Sequence, residues 1–235
     1  MEDFQPVSAL IVGAGHGLSA SLARAFARDG LHVSLAARNT EKLADLCAET
    51  GADAFQCDAA DAQQVKALFS NLDDGPGAPD VVVYNPSYRV QGAFTEIDPA
   101  EVEKSMRITA FGGFLVAQEA ARRMLNKGGG VILFTGASAS VKGYARSAPF
   151  AMGKFALRGL AQSIARELQP KAIHVCHVNI DGGMRNEARG YVEKSSEPDS
   201  YLDPDAIAQT YLHLIKQHRS AWTFELELRP WLERF

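Results

Sequence analysis

Short, mostly apolar runs alternate with stretches of helical spacing along nearly the whole chain. The runs at residues 7–12, 31–36, 52–57, 80–84, 131–135 and 173–178 have the length and content of strands buried on both faces. Residues 222–228 differ: apolar positions alternate with Glu225 and Glu227, the pattern of a half-exposed strand at a sheet edge. Between the runs, residues 18–29 place Leu18, Leu22, Ala25 and Phe26 on one helical face, and residues 155–168 do the same with Phe155, Leu160, Ile164 and Leu168. Asn39 and Thr40 are placed to cap a helix holding Leu43 and Leu46. Such alternation implies parallel strands joined by right-handed crossovers. It predicts one α/β domain over residues 1–235, with a doubly wound parallel sheet of about seven strands. Residues 73–79 read as a surface loop. Residues 182–204 are the least regular, polar with Gly, Ser and Pro, and 184–204 reads either as a substrate lid or as an ordinary surface excursion.

The first run leads into Gly13-Ala14-Gly15-His16-Gly17-Leu18-Ser19, and a helix follows. Glycines permit a tight turn and let backbone N–H groups approach a pyrophosphate, while the helix N-terminus supplies partial positive charge. A glycine triplet between the first strand and first helix of an α/β pattern therefore predicts a Rossmann-fold dinucleotide site built on Gly13, Gly15, Gly17 and Leu18. His16 reads as a phosphate-side or solvent residue. The second run ends Ala36-Ala37-Arg38-Asn39. No acid stands there to accept from a ribose 2′-hydroxyl, and the Arg38 guanidinium suits a 2′-phosphate. The expected cofactor is NADP, with NAD as the alternative.

Composition narrows the partners. The chain has 235 residues, 46% of them hydrophobic, and a formal net charge of −4 with acids and bases interspersed. That balance leaves no electrostatic footprint for nucleic acid or an anionic membrane. The three cysteines, Cys47, Cys57 and Cys176, lack paired or zinc-like spacing and read as small core residues of a reducing compartment. The first residues carry acids where a signal peptide carries bases, and residues 7–12 are too short for a signal core or a membrane span. The expectation is a soluble, cytoplasmic protein that works on small molecules and binds no metal.

From about residue 7 to 228 the chain resembles the short-chain dehydrogenase/reductase family. Gly13 and Gly17 match two glycines of its cofactor turn, and Ser19 replaces the last. Asp58 matches the family's adenine-contacting acid after the third strand, and Tyr84-Asn85-Pro86-Ser87 resembles its N-N-A-G after the fourth, with Asn85 the matching residue. Phe150-Ala151-Met152-Gly153-Lys154 is similar to the Y-x-x-x-K motif, and Asn179-Ile180-Asp181-Gly182 stands where the family has N-P-G. The resemblance implies hydride transfer between a nicotinamide and a carbonyl or alcohol carbon. It also implies that Lys154 contacts the cofactor ribose. The family's proton-transferring tyrosine is here Phe150, which has no hydroxyl. The family's serine aligns with Gly136 or Ala137, with Ser138 next along, and its asparagine with Thr109. Tyr144, Tyr88 and Tyr191 are candidate replacement donors.

The cofactor half of the motif set is thus kept and the acid–base half altered. Two readings follow: an NAD(P)-dependent oxidoreductase with a non-standard proton donor, or an NADP-binding pseudoenzyme with a sensor or regulatory role. A structural subunit that binds no dinucleotide is a third. The resemblance further implies a homodimer or homotetramer formed through the helices around residues 111–123 and 150–168. The aromatic tail after Pro230, with Trp231, Leu232 and Phe235, is expected to pack on its own or a neighbouring subunit.

Overall fold

The computed structural model describes residues 4–187, 190–193 and 196–233. Seven strands form one parallel sheet: β1 (Ser8–Val12), β2 (His32–Ala37), β3 (Asp53–Gln56), β4 (Val81–Tyr84), β5 (Gly130–Thr135), β6 (Ile173–Ile180) and β7 (Glu225–Leu228). Their order is β3-β2-β1-β4-β5-β6-β7. The two-residue period of the strands decides which helices each side chain meets. Ala9, Ile11, Val81, Val83, Val131 and Leu133 face one layer, which holds α1 (Leu18–Arg28), α2 (Ala44–Thr50) and α7 (Pro204–Ile215). Leu10, Val12, Val82, Tyr84, Ile132 and Phe134 face the other, with α3 (Ala62–Asp74), α5 (Gly112–Lys127) and α6 (Ala148–Leu168). The inner runs read as apolar throughout because both faces are covered, whereas β3, expected to be buried likewise, is the other edge of the sheet, with Asp53, Ala54 and Gln56 exposed. None of the described helices is long and apolar enough to cross a membrane.

The boundaries differ from the pattern where local chemistry intervenes. The last strand is confined to Glu225–Leu228. Trp222 instead stacks on the His174 ring, with centroids 4.8 Å apart, and donates from Nε1 to the Gln217 carbonyl. The sixth helix starts at Ala148 rather than near 155, with Pro149 in its first turn, where no N–H is required. The third helix extends through Asp74, into the stretch expected to be loop. Three helices carry an aspartate cap that the apolar spacing does not reveal. Asp61, Asp98 and Asp203 each accept from first-turn N–H groups, opening α3, α4 (Pro99–Met106) and α7. Of the two residues expected to cap at 39–40, Asn39 Oδ1 accepts from the Glu41 N–H, and Thr40 makes no side-chain cap bond.

The tail folds back on its own subunit. Pro230 packs against Gly182, Asp181 donates its N–H to the Leu228 carbonyl, and Trp231 Nε1 donates to Pro198 O at 3.3 Å. Trp231 and Leu232 nevertheless remain exposed, and Phe235 lies outside the described residues.

Between α4 and α5 the helix widens into a π turn at Arg107–Phe111. The fully buried Tyr84, at the end of β4, donates its hydroxyl to the Ile108 carbonyl inside this widened turn. Gly112 follows at once. A Cβ there would overlap the Tyr84 hydroxyl and lie 2.7 Å from the Ala59 carbonyl oxygen. Helix propensity alone favours alanine over glycine by about 1 kcal/mol. The overlap is with packed, hydrogen-bonded atoms and costs more, about 1–3 kcal/mol. Gly112→Ala is therefore expected to lower stability despite its better propensity, by up to about 2 kcal/mol, read as a lower urea midpoint with unchanged slope.

Candidate active site

The strand order reverses between β1 and β4, and a cleft of about 1120 Å³ opens at the carboxyl ends of these strands. The turn after β1 forms its floor. Gly13 has φ +82° and a Cβ there would lie 2.8 Å from Pro86 Cγ, so the turns after β1 and β4 pass at a distance only glycine allows. Ser19 Oγ donates to the Gly13 carbonyl at 3.1 Å and accepts from Asn85 Nδ2 at 2.8 Å. The serine that replaces the last motif glycine thus couples the glycine turn to Asn85. Gly17, φ +85°, is the N-cap of α1 and supplies no capping side chain; no acid stands in the first turn. The first N–H groups of α1 therefore have neither a side-chain acceptor nor a competing anion, which fits them to a pyrophosphate.

At the far end of the cleft, Arg38 lies beyond β2 and Asp58 beyond β3. Asp58 Oδ1 accepts from the Ala60 N–H and the Asp58 N–H donates to Gln64 Oε1, which fixes the loop. Lys42 also lines the cleft, and its Nζ would lie 3.7 Å from a Cβ on Gly15. Two cations therefore stand at the end where the sequence predicts a 2′-phosphate. His16 lines the cleft and is exposed.

Lys154, Phe150 and Ser138 line the opposite end. Lys154 is buried, and its Nζ donates to the Thr135 carbonyl at 2.7 Å, 6.0 Å from the Phe150 ring centroid. Burial pulls the ammonium down to about 8. Gly136 cannot hold the family's serine, because a Cβ there would overlap the imidazole of His177, whose ring lies directly beneath. His177 is fully buried with Nδ1 3.1 Å from Glu225 Oε2; burial pushes it down to about 4 against the pull of Glu225, so it is neutral near pH 7. Ser138, in the short turn after β5, supplies the hydroxyl facing the cleft, whereas Ser140 is buried and accepts from the Ala137 N–H.

Thr109 does not reach the cleft. It is fully buried in the π turn, its Oγ1 accepts from the Tyr88 N–H at 3.2 Å, and its side chain packs on Gly153. Of the tyrosines, Tyr144 and Tyr191 line the cleft, but Tyr88 donates to Glu101 Oε2 at 2.6 Å, bonded also to Lys104, away from it. Burial pushes the Cys57 and Cys176 thiols up to about 11 and 12, which leaves both as packing groups. Within the expected lid, Met184, Asn186 and Tyr191 line the cleft, and Asn186 and Tyr191 exchange backbone hydrogen bonds of 2.9 and 3.0 Å. Ala188, Arg189, Lys194 and Ser195 of that segment lie outside the described residues. Lys42, Arg89 and Asn186 line the cleft without any motif to announce them; only the folding of separate segments brings them there.

The depressed Lys154 ammonium has a measurable consequence. Between pH about 8 and the ordinary lysine value of 10.5, the unfolded chain holds a proton the folded chain has released. The Lys154 contribution to stability rises with pH across that window, by about 3 kcal/mol in total, while the raised Cys57 and Cys176 thiols contribute in the opposite sense above pH about 9. The stability difference between wild type and Lys154→Met is expected to shift in favour of wild type by most of this amount from pH 7 to about 10.5, measured as urea unfolding of the two cofactor-free proteins at a series of pH values.

Comparison with known proteins agrees with this architecture. The family model described as short chain dehydrogenase matches residues 8–192. A short-chain dehydrogenase of Rhodopseudomonas palustris superposes with a TM-score of 0.82 at 36% identity, covering 95% of this chain and 98% of that one. An alcohol dehydrogenase of Thermococcus sibiricus, solved with 5-hydroxy-NADP, gives 0.84 at 25% identity over 97% of both chains. A D-threitol dehydrogenase of Mycolicibacterium smegmatis is 27% identical over 172 residues, 71% of this chain and 66% of that protein. The chain spans about two thirds of the length of the first curated relatives it matches. With the sheet order, the glycine turn and the placement of Lys154 already in hand, the match over residues 8–192 leads to one conclusion: the chain belongs to the short-chain dehydrogenase/reductase family.

Proposed function

We propose that the protein is an NADP-dependent oxidoreductase that interconverts a small carbonyl compound and its alcohol with a proton donor other than the family tyrosine. The observation that carries this reading is the coexistence of an open glycine cradle with the buried Lys154 at one cleft. NADPH would supply a hydride. The first N–H groups of α1 hold the pyrophosphate, Arg38 and Lys42 the 2′-phosphate, and Asp58 the adenine. Asn85 keeps the cradle closed through Ser19. Lys154 bonds the ribose, and Ser138 orients the substrate oxygen.

The proton comes from Tyr144 or Tyr191, which face the same cleft. Lys142 Nζ lies 5.7 Å from the Tyr144 ring centroid and 3.4 Å from Asp181. Met184, Asn186 and Tyr191 shape the substrate end. The T. sibiricus relative, solved with an NADP derivative, supports the choice of cofactor.

A second reading, an NADP-binding protein without dehydrogenase turnover, is favoured by Phe150 together with the burial of Thr109. The two separate on turnover. Positioned proton transfer is worth on the order of 10²–10⁴-fold. Phe150→Tyr places a phenol beside Lys154 and is expected to raise kcat with NADPH and a broad carbonyl panel by at least about tenfold. No turnover by either protein would favour the second reading.

Self-association is part of the proposal. Phe111 and Phe114 stack with centroids 6.3 Å apart, and with Met152 and Phe155 they leave four large apolar side chains, each 42–50% exposed, at α5 and α6. Such side chains suit an isologous interface between copies of the chain. Light scattering behind gel filtration is expected to give a dimer or tetramer, and Phe114→Glu with Phe155→Glu a smaller species. An unchanged mass would remove these helices from the interface.

A further inference from the structure

Arg89 is the cation of the cleft that the proposed cofactor contacts leave without a task. It follows the Asn85 turn and lines the cleft at the Phe150 end. Its guanidinium carbon lies 5.3 Å from the Phe150 ring centroid. A guanidinium over an aromatic face keeps its N–H donors in its own plane, directed outward for a further acceptor.

Elsewhere in the fold arginines take carboxylates, as well as backbone carbonyls at Arg107 and Arg166. Arg158 takes Glu225 at 2.6 and 2.7 Å, Arg123 takes Asp73 and Glu119, and Arg185 takes Asp203 at 2.6 Å. No ion pair involves Arg89 among the described residues. The acids that line the cleft are committed or distant in the chain's own terms. Asp58 sits past β3 with its loop, Asp181 is held by Arg229 and Lys142, and Glu233 lies beside Gly182. The other cation at this end, Lys154, is buried against the Thr135 carbonyl.

We propose that Arg89 reads an oxyanionic group on the substrate, so that the cleft selects small carbonyl or hydroxy compounds carrying a carboxylate or phosphate. This rests on the oxidoreductase reading for the word substrate, and on the geometry of Arg89 for the charge. Phe150 acquires a positive role: its ring holds the guanidinium in place. A charge-assisted, bidentate contact of this kind discriminates by about 10–100-fold.

The test compares matched pairs. With NADPH, kcat/KM is measured for 2-oxobutanoate against its methyl ester, and for dihydroxyacetone phosphate against dihydroxyacetone. The anionic member of at least one pair is expected to be preferred by about 10-fold or more, and that preference to collapse in Arg89→Gln. The pair that shows it tells carboxylate from phosphate. NADPH fluorescence on the same preparations checks that the variant is folded. Equal use of charged and neutral members, or a preference that persists in Arg89→Gln, overturns the proposal and leaves the oxidoreductase reading standing. If nothing turns over, calorimetry of oxalate and of inorganic phosphate on the protein–NADP⁺ complex decides instead. Binding by wild type that weakens about 10–100-fold in Arg89→Gln supports the anion site even though the oxidoreductase reading has failed; binding that is absent, or equal in the two proteins, overturns it.

Discussion

The turns after β1 and β4 leave the sheet where the strand order reverses, and they must pass within contact distance of each other. A Cβ on Gly13 would lie 2.8 Å from Pro86 Cγ, and the φ of +82° there strains any other residue. Asn85 reaches across to Ser19, and Ser19 back to the Gly13 carbonyl. This small cluster sets the depth of the cleft and the direction in which α1 leaves the sheet. Arg38 and Asp58 then fall at one end because β2 and β3 lie to one side of β1; Lys154 and Ser138 fall at the other because β5 lies beyond β4. The geometry of the cleft follows from that single close approach and the right-handed crossovers around it.

The catalytic end is constrained from beneath. His177 fills the space under Gly136, so a serine at the strand end is excluded by packing and the nearest serine that lines the cleft is Ser138. Tyr84 occupies the widened π turn from below, and Thr109 is spent on the Tyr88 N–H. Lys154 alone keeps its position, at the cost of burying an ammonium against one carbonyl. An ordered cradle beside a rebuilt acid–base region is consistent with a site whose binding and chemistry are separable.

Much of the fold is legible in the residues because it is written in periods of two and 3.6. The seven strands, α1 and the edge character of β7 follow from that patterning. Element ends are less legible, because they depend on single caps and packing partners: Asp61, Asp98 and Asp203 start helices, and Trp222 leaves the sheet to stack on His174. The glycine turn, Arg38, Asp58, Asn85 and Lys154 carry local motifs and meet at one cleft. Thr109 matched by alignment yet lies buried, since alignment does not report which way a π turn rotates a side chain. Lys42, Arg89 and Asn186 reach the cleft by tertiary proximity alone, and nothing in their neighbours in sequence marks them.

The central claim is that the cradle between Gly13 and Arg38 holds a phosphorylated dinucleotide whatever the fate of the chemistry at Phe150. Fluorescence titration of the purified protein with NADPH and with NADH tests it most directly. Saturable NADPH binding in the micromolar range or tighter is expected, with NADH weaker by about tenfold or more, the scale of one charge-assisted phosphate contact. No binding of NADPH at millimolar concentration, or tighter binding of NADH, would contradict it.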